Sequence, residues 1–243
     1  MLSNETKKKL GEIQATETTY LPSEDVARSL HDKVLVMLVG PVAIGKSFVI
    51  DQIIRTDPEF KPVPVFTTRD SRAGEDPELF RTQPHTDESL AEIFDAIDQK
   101  TLIQYTVHPT TGRIYGTVAG DYNAPYNLLA TLSGAVEPRA KLPFAASHTV
   151  CLVARPEVWR LWLNKRYPEN SAERTKRIEE AIICLRWALE DKPHVNISWV
   201  ENNIQTPERT IEDIINIVKY NQQGDVSARK YAAQMLELAI NEK

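Results

Sequence analysis

The octapeptide Gly40-Pro41-Val42-Ala43-Ile44-Gly45-Lys46-Ser47 constrains this chain more than any other feature, and it directly follows an apolar run ending at Val39. The pattern Gly-x-x-x-x-Gly-Lys-Ser is that of a phosphate-binding loop. Its glycines let the backbone wrap an anion without Cβ clashes, so that successive N–H groups point inward. A helix that starts at the same place adds the positive field of its N-terminus. In such a loop Lys46 reaches the β- and γ-phosphates of ATP, and Ser47 ligates Mg²⁺. The pattern predicts an enzyme that uses ATP and Mg²⁺ for phosphoryl transfer, with residues 40–47 as its ATP-binding set.

The flanking sequence has the context that this motif demands. Residues 33–39 form a nearly unbroken apolar run, the mark of a parallel strand covered on both faces, and a helix is predicted over 46–55. Further strands are predicted at 63–67, 101–107, 149–154 and 195–200, with a turn at 112–117 leading into another. Helices are predicted at 87–99, 156–165, 172–190, 211–220 and 227–238. On the first of these, Leu90, Ile93, Phe94 and Ile97 share one face. Ser23 reads as an N-cap followed by Glu24 and Asp25. Residues 1–22 read as a loose extension with room for one short helix, 68–85 as a loop, and 119–148 shows no firm period. Strands alternating with helices imply βαβ units and a parallel sheet. The fold expected is therefore a three-layer α/β P-loop NTPase fold.

Composition narrows the function classes. With 243 residues the chain has room for one large domain with small insertions. The net charge of −5 disfavours a general nucleic-acid binder. No apolar run approaches the roughly 20 residues of a membrane span. The polar N-terminus shows no secretory signal, and Cys151 and Cys184 sit in apolar surroundings without metal-ligand or redox spacing. A cytoplasmic protein acting on small molecules is expected, with no nucleic-acid or membrane partner.

A second motif lies at 66–75, Phe-Thr-Thr-Arg-Asp-Ser-Arg-Ala-Gly-Glu. Arg69 and Arg72, on a loop after a strand, can grip one phosphate with two planar guanidinium forks. Taken alone, such a cluster is more often a solvated surface loop. The order of phosphate loop, Thr-Thr-Arg-x-x-Arg-x-Gly-Glu and Tyr115-Gly116-Thr117 resembles the guanylate kinase family over residues 33–219. The resemblance implies a core carrying the phosphate loop, an acceptor-binding insert at about 66–118, and a helical lid at about 163–178. Residues 1–32 and 220–243 then stand as N- and C-terminal extensions. It also implies that Arg69, Arg72 and Tyr115 hold the phosphate of a nucleoside monophosphate, GMP first, with Thr117 near the base. Arg166 and Arg177, eleven residues apart, match the family's lid arginines. With Lys46 they would neutralise the transferring phosphoryl group. The alternative for both is an ordinary helix-surface arginine.

The chain departs from the family pattern at several places. Val65 stands where the family has a base-reading serine, and Gln104 where it has a glutamate. A carboxylate accepts two N–H bonds, whereas an amide presents one acceptor and one donor group. Arg81 replaces a phosphate-binding tyrosine and offers a charged donor instead. The segment matching the family's aspartate-bearing strand end, residues 129–134, holds no carboxylate, and Asp121 is a candidate substitute. These departures keep two other readings open: a kinase of a phosphorylated sugar resembling ribose 1,5-bisphosphate, and a catalytically impaired nucleotide-binding module. The five histidines form no ligand pattern. Trp159, Trp162 and Trp187 read as core or interface residues. The apolar face of the last helix reads as core packing or, in a sharper reading, as a homodimer contact.

Overall fold

The computed structural model describes residues 2–72, 74–109, 111–168, 171–192 and 194–243. It is an α/β fold with a parallel central sheet and surrounding helices. Contacts divide the chain into two units. One comprises Met1–Val34, Lys61–Asn127 and Glu137–Ala146; the other comprises Leu35–Phe60, Leu128–Val136 and Ser147–Lys243.

The second unit is built on strand β1 (Val34–Val39). Residues Leu35 to Val39 have no exposure at all, as expected of a strand covered on both faces. The sheet also contains β2 (Phe60–Pro62), β7 (Tyr126–Ala130), β8 (Ala146–Val153) and β9 (Ile197–Glu201), in the order β2-β7-β1-β8-β9. β8 and β9 run parallel, with Cys151 opposite Trp199. Helices α3 (Lys46–Thr56), α6 (Pro156–Arg166), α7 (Ala172–Leu189), α8 (Pro207–Tyr220) and α9 (Arg229–Asn241) belong to this unit. Each of α3, α6, α8 and α9 buries one apolar face: Val49 and Ile53, Trp159 and Leu163, Ile214 and Ile217, Ala232 and Met235. α6 and α8 both open with proline in the first turn, where its missing N–H costs nothing. That proline starts α8 four residues before the apolar spacing does. α9 packs along α7. Cys151 and Cys184 are buried free thiols.

The first unit holds a four-stranded sheet in the order β4-β3-β6-β5, formed by β3 (Val65–Thr67), β4 (Phe80–Thr82), β5 (Leu102–Val107) and β6 (Ile114–Val118). The strand expected at 63–67 is confined to Val65–Thr67, and β2 ends at Pro62 in the other sheet. Pro62 and Pro64 supply no N–H, so the ladder cannot run through them. The loop expected at 68–85 contains β4, which pairs with β3 in parallel. Gly116 lies opposite Phe66, whose ring covers it: a Cβ there would come within 2.2 Å of the ring. The apolar face packs Leu90, Ile93, Phe94 and Ile97 of α4 (Asp87–Asp98) against Tyr105, Val107 and Ile114.

Residues 1–22 do not hang loose. They form α1 (Asn4–Thr16), capped by Ser3, whose hydroxyl accepts from the Thr6 amide at 3.1 Å. Ile13 is buried in the apolar cluster of this unit. The segment after α1 closes the free edge of β5. The Val107 amide donates to the Glu17 carboxylate at 2.6 Å, and the Tyr20 hydroxyl donates to the Leu102 carbonyl at 2.9 Å. Exposed strand edges invite pairing with other chains, and this one is satisfied by side chains. Burial raises the Glu17 carboxyl above its ordinary range. α2 (Glu24–Arg28) starts at Ser23, as its sequence predicts. The aperiodic stretch 119–148 resolves into β7, a short helix α5 (Val136–Ala140) and the entry to β8. None of the helices among the described residues is long and apolar enough to cross a membrane.

Candidate phosphate-binding loop and insert

The chain leaves β1 at Gly40, which adopts φ 143°, and turns through Ala43 (φ 63°) and Gly45 (φ 92°) into α3. Such positive φ values disfavour side chains, and here space forbids them as well. A Cβ on Gly40 would lie 2.6 Å from the Leu152 carbonyl oxygen, and one on Gly45 would lie 2.6 Å from the Asn202 Nδ2. Among the described residues no side chain caps the start of α3. Its first amides and its positive end therefore remain available to an anion. Ser47 is exposed in the first turn of α3.

Lys46 Nζ donates to the Gly40 carbonyl at 2.7 Å and to the Pro41 carbonyl at 3.2 Å. Burial lowers its pKa, the nearby Arg166 charge lowers it further, and Glu180 acts in the opposite sense. The Cys184 thiol faces the Gly40 amide, and burial pushes its pKa up.

Two residues fasten the loop from outside it. Trp159, fully buried on α6, donates its indole N–H to the Val42 carbonyl at 2.8 Å. Asn202, immediately after β9, donates its amide to the Ile44 carbonyl at 2.7 Å, and its own backbone N–H binds the Val153 carbonyl at 2.7 Å. Sequence reasoning placed Trp159 in the core or an interface and passed over Asn202. Neither has a local pattern that advertises the contact.

The two arginines expected in a lid both approach one ring. The guanidinium carbons of Arg166 and Arg177 lie 5.6 and 5.9 Å from the centroid of Tyr167. Arg177 also donates to Glu180 at 2.8 Å and reaches Glu173 at 3.4 Å. Arg174, buried between them in sequence, donates to the Tyr167 carbonyl at 3.0 Å and pairs with Glu242 near the C-terminus. Arg160 pairs with the same carboxylate at 2.6 Å. Part of the predicted lid, residues 169 and 170, lies outside the described residues.

In the first unit, Arg69 is buried and paired with Glu75 through both terminal guanidinium nitrogens, one at 2.7 Å. Its ion lies 5.2 Å over the Phe80 ring. Glu75 also accepts from the Arg72 amide at 2.9 Å. The Gly-Glu that ends the motif thus supplies the clamp for its first arginine. Although partial burial opposes its charge, the bonds from Arg69 and Arg72 hold the Glu75 carboxyl below its ordinary range. Tyr115 lies within hydrogen-bonding influence of Arg69, while the Arg72 side chain is exposed.

Arg81, expected to bind an acceptor, makes a two-pronged ion pair with Asp121, both contacts at 2.8 Å. The Asp121 carboxylate also takes the Val118 amide at 2.8 Å and is buried. This pairing engages both residues, including the acid named above as a candidate substitute for the family's aspartate. The Thr117 hydroxyl is bonded to the Tyr122 hydroxyl at 3.0 Å, and the Gln104 amide donates to the Glu17 carbonyl at 3.2 Å. At the end of β7, Thr131 donates its amide to the Leu38 carbonyl at 3.1 Å. No carboxylate occurs in residues 129–134.

A strand, a glycine loop with left-handed turns and a helix that starts on its lysine define a P-loop α/β protein. No protein family's sequence profile matches the chain, and no curated protein matches it. Among solved structures, guanylate kinase from Anaplasma phagocytophilum superposes with a TM-score of 0.50 at 14% identity, covering 83% of this chain and 93% of that one. HypB from Helicobacter pylori, in complex with nickel, gives a TM-score of 0.30 at 12% identity, covering 91% of this chain and 99% of that one. The first likeness is one of fold.

Proposed function

We propose that the protein transfers the γ-phosphoryl group of ATP to a phosphate already carried by a small acceptor. The observation that carries this reading is the loop at 40–45, where a Cβ on Gly40 or Gly45 would strike its neighbours and the first amides of α3 have no side-chain cap. That cradle suits a polyphosphate. Mg²⁺ would be held by Ser47 and the nucleotide's own phosphates, and would neutralise phosphate charge.

An acceptor phosphate is already an oxyanion, so no side-chain nucleophile is needed. The protein's part is positioning and charge neutralisation. Lys46 would move from its loop carbonyls to the β- and γ-phosphates. Arg166 and Arg177, gathered at Tyr167, would meet the charge on the transferring group. Arg69, Arg72 and Tyr115 would hold the acceptor phosphate. The family resemblance makes a nucleoside monophosphate, GMP first, the acceptor to test.

The test is ADP release from ATP and Mg²⁺ with a panel of phosphorylated acceptors, with Lys46→Ala as the control. Turnover on one acceptor, lost in the control, is the expected result. ATP binding without turnover on any acceptor would refute the kinase reading. It would favour a nucleotide-binding module, the reading that the missing carboxylate at 129–134 supports.

A further inference from the structure

We propose that the acceptor is a sugar phosphate without a purine, and that Tyr122 and Arg139 set this choice by filling the insert face on which a base would be read. The inference rests on the phosphotransfer reading above.

Gln104 of β5 lies opposite Thr117 of β6, and Thr106, two residues along β5, shares the face of Gln104. Tyr122 closes this face with its hydroxyl on Thr117 at 3.0 Å, its ring leaning on Phe144 with centroids 5.3 Å apart. Arg139, from α5, donates to the Thr106 hydroxyl at 3.4 Å. Gln104, Thr117, Tyr122 and Arg139 retain 1%, 0%, 3% and 4% of their exposure. Gln104 gives its amide nitrogen to the Glu17 carbonyl, and its Oε1 has no hydrogen-bond partner among the described residues.

A guanine edge brings two adjacent donors, the N1 hydrogen and the N2 amine. Of the acceptors on this face, which include the hydroxyls of Thr106, Thr117 and Tyr122, the Gln104 oxygen alone among the described residues has no hydrogen-bond partner, and these groups lie under cover. On the same face lies a guanidinium, which has donors only. A base could enter only by displacing a buried tyrosine and a buried arginine. A site whose polar groups mismatch a ligand rejects it strongly. Tyr115, opposite Thr106, lies on this same face but is only half-buried, and Arg72 is exposed. A phosphate can therefore dock at this more open rung while its substituent stays off the Gln104–Thr117 rung that Tyr122 covers, which suits a compact sugar better than a purine nucleoside.

The test is calorimetric binding of GMP and of ribose 5-phosphate to the full chain, each with a non-hydrolysable ATP analogue present. Ribose 5-phosphate binding as tightly as GMP or tighter is expected, since the purine adds nothing. GMP binding at least about tenfold tighter would overturn the proposal, as would binding of neither ligand. The Tyr122→Ala variant, checked for retained fold by circular dichroism, is expected to gain GMP affinity while ribose 5-phosphate affinity holds. An unchanged preference in a folded variant would remove Tyr122 from the argument. Because these are binding measurements, they separate a wrong acceptor from a wrong reaction: absence of ADP release refutes phosphotransfer, whereas a GMP preference refutes only the sugar.

Discussion

Asn202 offers a quantitative test of how the phosphate loop is held. Its amide is the donor to the Ile44 carbonyl at 2.7 Å, and the residue is only 6% exposed. Asn202→Ala leaves that carbonyl without its partner, at a cost of about 1–3 kcal/mol. If the cost falls on the ordered loop, affinity for an ATP analogue should drop about 5- to 150-fold. Gly45→Ala is damaging for two reasons: its φ of 92° is strained for a side chain, and its Cβ would sit 2.6 Å from the Asn202 Nδ2. The second reason vanishes once Asn202 is alanine. The double variant should therefore be less damaged than the sum of the singles by about 1–2 kcal/mol, within the range seen for contacting residues. The assay is a double-mutant cycle in urea unfolding, repeated by calorimetry with the ATP analogue. Additivity within about 0.3 kcal/mol would show that Asn202 and Gly45 do not meet as described, and the fastening argument would fail.

Three further outcomes are expected. Trp159→Phe keeps the buried ring but loses the indole bond to Val42, so analogue affinity should fall about 3- to 10-fold by calorimetry, with little change in far-ultraviolet circular dichroism. Gly116→Ala would push a Cβ into the Phe66 ring and should destabilise the fold by about 1–3 kcal/mol in urea; adding Phe66→Leu should recover part of that loss. The Glu75 carboxyl has a depressed folded pKa, so its stabilising contribution is full above the ordinary glutamate pKa and is lost as pH falls through the folded value. The melting-temperature advantage of wild type over Glu75→Gln should accordingly be full at about pH 7 and shrink toward about pH 3.

The parts of the fold that sequence made legible are those whose signal is local. The unbroken apolar run of β1, the glycine spacing of its loop and the apolar face of α4 each follow from neighbouring residues. The parts that sequence hid depend on distant partners. Nothing near Arg81 announces Asp121, forty residues on, and nothing near Gln104 announces that Glu17 will take its amide. Pro62 and Pro64 signal the break between β2 and β3, yet only strand pairing fixes which sheet each joins. In the candidate site the motifs named Arg69 and Arg72. The role of Glu75 as a clamp needed the loop's geometry, because a glutamate three residues after an arginine usually faces solvent.

The bond from Asn202 to Ile44 spans 158 residues, and this has a consequence during biosynthesis. At about 5–20 residues per second, the ribosome adds Asn202 about 8–30 s after the loop that it fastens. Through that interval a nascent chain carries the glycine-rich segment without its last support. Chains stalled or cleaved before residue 202 should then be poor at retaining nucleotide, however complete their motif.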